Sequence, residues 1–209
     1  MSLRKSSLAS AQARIRAVLR ESIAVKRAVL ESQVDATARV ADVMIGAIRR
    51  GGRVFFFGNG GSAGDSQHLA GELLGRFLHD RPALAGQALT TDTSTLTAVA
   101  NDYSYADVFA RQIEGLGRRG DVAVGITTSG NSPNVVKALR RAKVLGLTTV
   151  AMTGGTGGQA ARVADYAIVV PSSSTPRIQE SHITLGHAIC ELVEAACSGP
   201  QGRTSVRHR

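Results

Sequence analysis

Apolar positions recur every third or fourth residue over the first quarter of the chain, through Ile15, Val18, Leu19, Ile23 and Val25 and again through Ala36, Val40, Val43, Met44, Ala47 and Ile48. That spacing predicts two helices between about residues 9 and 50. The second should stop at Gly51-Gly52, with Arg49 and Arg50 in the turn where cations are favoured. After residue 53 the pattern changes. Short apolar runs at 54–57, 87–89, 122–126, 148–152 and 166–170 alternate with helical stretches at 63–78, 105–117, 133–145, 158–164 and about 176–198. Runs this continuous suit strands buried on both faces. Strand–helix alternation predicts an α/β fold with a doubly wound parallel sheet, whose ligands gather at the carboxyl ends of the strands.

No repeat or low-complexity linker interrupts the chain. The expected division is a helical segment over 1–50, packed on the core and used in oligomerisation, one α/β domain over 51–198, and a basic tail over 199–209 expected to be disordered. Composition changes the picture in two places. The net charge of +9 suggests a nucleic-acid partner. It is confined to the ends, however: residues 1–30 carry +6, residues 199–209 carry +3, and the body is neutral. A solvated basic helix face is therefore expected, and no nucleic-acid partner. The only cysteines, Cys190 and Cys197, sit seven apart on one predicted helix, about 10 Å along its axis, too far for a disulfide. No apolar run is long enough to span a membrane and the first twenty residues lack a secretory pattern, so the expected location is the cytoplasm.

The candidate chemistry lies where strands run into helices. The first run ends in Gly58-Asn59-Gly60-Gly61-Ser62. Glycines admit close backbone approach, and a following helix N-terminus favours an anion. Read as Gly58-x-Gly60-x-x-Ala63 it also fits a loose dinucleotide fingerprint, and a plain tight turn remains open. The third run ends in Thr127-Thr128-Ser129-Gly130-Asn131-Ser132-Pro133. Pro133 suits a first helical position and Ser132 its N-cap. A cap needs one hydroxyl and four are present, which points to a phosphate. His68 and Glu72 are four apart, hence on one helix face with Cβ atoms about 5–6 Å apart. Alone they read as a surface pair, and His187, in an apolar helical stretch, reads alone as a core residue. His182 is a ligand candidate on periodicity. His79 and His208 have no context and are taken as surface.

Taken in order, the two loops are similar to the sugar isomerase (SIS) domain. His68-Leu69-Ala70-Gly71-Glu72, Ala100-Asn101-Asp102-Tyr103 and Arg177-Ile178-Gln179-Glu180-Ser181-His182 narrow the resemblance to the phosphoheptose isomerase family. The resemblance implies a five-stranded parallel sheet flanked by helices. It implies an aldose–ketose isomerase that converts sedoheptulose 7-phosphate to D-glycero-D-manno-heptose 7-phosphate through an enediolate, the first step towards nucleotide-activated heptose. It implies a homotetramer with sites at subunit interfaces and one zinc per subunit. Substrate contacts would come from Asn59, Gly60, Gly61, Ser62, Glu72, Asn101, Asp102, Thr127, Thr128, Ser129, Ser132 and Gln179. The metal positions would be His68, Glu72, Gln179 and His187, with Glu72 and His187 also the acid–base pair. Two departures stand out: Thr127 replaces a usual Ser, and 172–176 lacks the acidic residue that many relatives carry before Arg177.

Three other readings stay open: a SIS-domain protein that binds the replication initiator, an isomerase of another sugar phosphate, and a dinucleotide enzyme. One geometric expectation follows from spacing. On an unbroken helix Gln179 and His187 are about 12 Å apart along the axis and 80° around it. They can share a metal only if the helix starts after Gln179, if it kinks, or if one of them comes from another copy of the chain.

Overall fold

The computed structural model describes residues 2–198, with side-chain environments from residue 8 onward. The first two helices, α1 (Ser2–Ser32) and α2 (Val34–Arg49), meet at Gln33. Its side-chain oxygen leaves the helical line to accept from the Val169 N–H at 2.9 Å. Residues 199–209, and His208 with them, lie outside the described residues.

Five parallel strands follow: β1 (Val54–Gly58), β2 (Gly86–Ala88), β3 (Val122–Thr127), β4 (Thr148–Gly154) and β5 (Tyr166–Val170), in the order β2-β1-β3-β4-β5. The expected doubly wound sheet is thus observed. Alternate side chains of each strand serve opposite layers. Val54, Phe56, Val122, Val124, Ile126 and Met152 meet α2, α3 (Gly61–Leu74) and α8 (Thr175–Cys197). Phe55, Phe57, Ala123 and Ala151 meet α5 (Val108–Leu116), α6 (Pro133–Val144) and α7 (Gly158–Val163). Chain order reverses between β1 and β3, so the carboxyl ends of those two strands flank the crevice where such sheets take ligands.

The structure corrects several boundaries. α1 begins at Ser2, earlier than expected. A helix absent from the sequence reading, α4 (Thr93–Asp102), leads to a single 3-10 turn at Tyr105–Asp107 before α5. α4 buries no residue, so it has no apolar period to read. What starts it is Asp92, whose carboxylate accepts from the Thr95 N–H at 3.0 Å and its hydroxyl at 2.6 Å. α3 ends at Leu74 because Gly75 leaves helical geometry, and the N–H groups that follow find a side-chain partner instead.

Candidate active site

The two loops singled out by sequence face each other across the β1/β3 crevice. Gly60, at φ 56° and ψ −120°, takes a conformation that only glycine holds cheaply, and it turns the chain from β1 into α3. The loops are joined by a reciprocal amide pair. Asn59 Nδ2 donates to Asn134 Oδ1 at 2.9 Å, and Asn134 Nδ2 donates to Asn59 Oδ1 at 2.8 Å. Tyr105 adds a hydroxyl donor to Asn59 Oδ1 at 3.2 Å, drawing the segment after Asn101 and Asp102 towards the glycine loop. Asn101 and Asp102 themselves are exposed, and Asn101 Nδ2 donates to Asp102 Oδ1 at 2.9 Å. Ser62 is buried at the start of α3, with its Cβ against Gly58.

In the second loop, Thr127 and Ser132 share a hydroxyl hydrogen bond of 2.9 Å. Ser129 Oγ accepts from the Asn131 N–H at 3.2 Å, and Thr128 is half-buried. Ser132 holds the expected N-cap position of α6, but its side chain makes no cap bond because Thr127 takes it. In that first turn Pro133 has no N–H and the Val135 N–H donates to Asn134 Oδ1 at 2.9 Å, so the Asn134 N–H and the loop hydroxyls are what the amino end of α6 offers a ligand.

α3 and α8 run side by side in the same direction. Gly61 lies against the Gln179 carboxamide at one end, and a side chain on Gly186 would collide with Leu69 about two turns further on. That close approach brings His68 and His187 face to face, their Nε2 atoms 2.8 Å apart. His68 Nε2 is also 3.1 Å from Glu72 Oε1. Two ring nitrogens and a carboxylate oxygen converge within 4.8 Å. Either one ring carries an Nε2–H that donates to the other, or both turn lone pairs towards a cation held between them. The donor set, two imidazoles and one carboxylate, fits zinc.

Gln179 does not join this group through a late helix start. α8 runs unbroken from Thr175, and Gln179 lies two turns before His187 beside the glycine loop. His182 is no candidate ligand: it is buried, and its Nε2 lies 2.9 Å from the Thr153 carbonyl oxygen. Burial outweighs that bond and holds its pKa below the ordinary 6.5. His79 is exposed. Cys190 and Cys197 are free thiols, and burial, then the Glu72 charge, push Cys190 up to about 12, so it is an inert core residue.

Sequence reasoning missed one residue at this site and two that brace the helices carrying it. Asp65 sits one turn before His68, and one carboxylate oxygen is buried with no hydrogen-bond partner. Burial raises its pKa although both histidines pull it down. The 65/68/72 helical spacing was its available signal. The other two, Arg81 and Glu194, form a buried pair at the far end of the same helices, with Nε and Oε1 3.1 Å apart. Glu194 accepts from the N–H groups of Phe77, Leu78 and His79 at 2.8, 2.6 and 2.9 Å. Arg81 donates to the carbonyls of Glu72 and Leu73 at 2.7 and 2.8 Å, capping α3. Nothing in local sequence announces that pair.

The SIS domain family profile matches residues 19–154. Phosphoheptose isomerase of Aquifex aeolicus (strain VF5) is 52% identical over 181 residues, covering 87% of this chain and 95% of the relative. That of Aneurinibacillus thermoaerophilus is 51% identical over 184 residues, covering 87% and 93%. Among solved structures, phosphoheptose isomerase from Neisseria gonorrhoeae superposes with a TM-score of 0.84 at 43% identity, covering 88% of this chain and 98% of that one. The Francisella tularensis structure gives 0.86 at 34% identity with the same coverage. The chain therefore belongs to the phosphoheptose isomerase family, SIS-domain aldose–ketose isomerases of sugar phosphates.

Proposed function

We propose that this enzyme converts sedoheptulose 7-phosphate to D-glycero-D-manno-heptose 7-phosphate. The observation that carries the reading is the convergence of His68, Glu72 and His187 beside two anion-type loops at the β1/β3 crevice. The substrate phosphate would lie in the 127–132 loop, on its hydroxyls at the amino end of α6. Ser62, Asn59, Gly60 and Gly61 would border the sugar chain. Asn101 and Asp102 would reach it from the end of α4. With the phosphate anchored there, Glu72 would take the C1 proton of the ketose. Negative charge then moves onto O2, forming the enediolate. His187 would carry protons between O1 and O2, and return of a proton to C2 leaves the aldehyde at C1. His68, Glu72 and His187 would also suit a zinc ion, which supplies Lewis-acid stabilisation of sugar oxygens when bound; a Glu72 or His187 atom on the ion does not move a proton at the same time, so the two roles belong to different states of the site.

The same reading includes a homotetramer with sites between subunits. Leu8, Ile15, Leu19, Ile23 and Leu30 leave an exposed apolar stripe on α1, and Leu192 is exposed beside α2. A surface of this kind favours self-association. Gln179, two turns from His187 on the same helix, could then act as a ligand to a neighbouring copy's site. Sugar phosphates do not cross bilayers, which fits a cytoplasmic enzyme. A role in binding the replication initiator is disfavoured by the intact Glu72 and His187 geometry, because a docking protein has no use for it.

A coupled assay over five- to seven-carbon ketose phosphates tests the substrate. Preference for a five- or six-carbon ketose would overturn the heptose assignment. Chelated enzyme, assayed with and without added zinc, tests the metal: activity untouched by chelation would remove it from the mechanism. Mixing Gln179→Ala and His187→Ala chains tests the shared site. Activity should return in mixed oligomers, and no return despite demonstrated subunit exchange would show that each site is built from one chain.

A further inference from the structure

The amino ends of the strands carry a charged group that the reaction does not use. A hollow of about 300 Å³ opens there, lined by Arg50, Arg53, Arg118 and Arg119, by Asp121 and by three glycines. Four arginines against one aspartate give the lining a formal charge of +3, although the Arg50 guanidinium folds back along α2 towards Gly46. The carboxylate is already spent. Asp121 is only 4% exposed, and its two oxygens accept from the Arg53 and Arg118 N–H groups, each at 2.9 Å. It thereby ties the segment before β1 to the segment before β3. None of the four arginines pairs with an acid among the described residues, whereas Arg81, Lys137, Arg141, Lys143 and Arg177 each meet one.

Uncharged contacts hold several of these arginines in place. Arg118 Nη1 donates to the Gly117 carbonyl at 3.0 Å. The Arg53 guanidinium lies 5.7 Å over the Phe55 ring. Arg119 lies along Gly146, close enough that a side chain there would touch it. Such contacts order a guanidinium without neutralising it, which lowers the entropy cost of binding an anion. A planar fork of donors matches phosphate oxygens bidentately. The volume is at the lower end of small-ligand sites and far from the extended surface that a nucleic acid covers.

We propose that this hollow binds a small polyphosphate, a ligand with adjacent phosphoryl groups carrying about three negative charges. It is separate from the candidate active site, since Arg53 and Asp121 precede the same two strands, β1 and β3, whose other ends carry the phosphate-type loops.

Titration calorimetry of the full chain with inorganic pyrophosphate, at about 150 mM salt to screen diffuse attraction, tests the proposal. The 127–132 loop could also take this probe, so the titration is made in a Ser129→Ala/Ser132→Ala background. One binding event per chain should remain there. Adding Arg118→Ala/Arg119→Ala should weaken it at least tenfold, and Lys at both positions should restore part of the loss. In the otherwise unaltered enzyme, Arg118→Ala/Arg119→Ala should leave the sugar-phosphate KM unchanged. Thermal melting verifies folding, and Arg53→Gln/Arg119→Gln replaces the alanine pair if that pair is unfolded. Unchanged pyrophosphate affinity in folded arginine variants overturns the site, as does the absence of any event in the serine background. Binding of an RNA oligonucleotide at the same salt, abolished by the same variants and stronger than that of pyrophosphate, would also overturn it in favour of a nucleic-acid surface.

Discussion

The α3–α8 pair carries two polar clusters, one along its middle and one where α3 ends, and they differ in burial and in hydrogen-bond saturation. At the far end, Arg81 and Glu194 have side chains only 1% exposed, and the Glu194 oxygens are filled by three backbone N–H groups and a guanidinium. Midway along the pair, His68, Glu72 and His187 are exposed or half-buried, and their donor atoms face one another. Asp65 beside them keeps a buried oxygen unpartnered. A saturated cluster is stable because nothing is left for a ligand to satisfy. An unsaturated one has capacity in reserve, at some expense in stability.

The comparison is sharpest in Glu72→Gln, for which the largest effect is expected. Removing a general base costs about 10²–10⁴-fold in turnover, while the half-exposed position should leave the melting temperature nearly unchanged. Turnover above a tenth of the parent value would mean the base lies elsewhere. Glu194→Gln should do the opposite. Breaking a buried pair costs about 3–5 kcal/mol, so denaturant unfolding should shift strongly even though Glu194 contacts no expected substrate position.

That second variant has a pH signature. Burial alone would raise the Glu194 pKa; the three N–H groups and Arg81 together overcome it and hold the carboxyl below its ordinary 4.5. The folded state therefore prefers the ionised form. The stability this contributes is present above pH 4.5 and is lost as pH falls through the lower folded-state pKa. The gap in unfolding free energy between parent and Glu194→Gln should narrow on acidification below 4.5. A gap that stays constant or widens would show that the ionised form carries none of it.

The smaller effects concern the hydroxyl loop. Ser129→Ala and Ser132→Ala should each weaken substrate binding by about 1–3 kcal/mol, if a hydrogen bond to a charged phosphate is lost. The melting temperature should move little in Ser132→Ala, because that hydroxyl bonds Thr127 and does not cap α6. A KM unchanged in both variants would place the phosphate outside this loop. A large stability loss in Ser132→Ala would show that the Thr127 bond is structural.

The strands, the parallel sheet and the two strand-to-helix loops were legible in sequence because each is local. Burial on both faces produces continuous apolar runs, and a turn or cap needs particular residues within a few positions. Those rules located 54–57, 122–126, Gly60 and the 127–132 loop. They failed at α4, which buries nothing and so has no period, and at the end of α3, where Glu194 takes N–H groups that periodicity assigned to the helix. What only the tertiary structure decided is the meeting of residues more than a hundred positions apart. His187 reads as a core histidine until α8 is laid parallel to α3, where Gly186 against Leu69 allows the approach that brings its ring to His68. Arg81 and Glu194, and the four arginines around Asp121, are likewise ordinary charges until the sheet is closed. Sequence period records what each element buries against its own layer, whereas a site depends on which elements become neighbours, and that is settled by packing across the whole core.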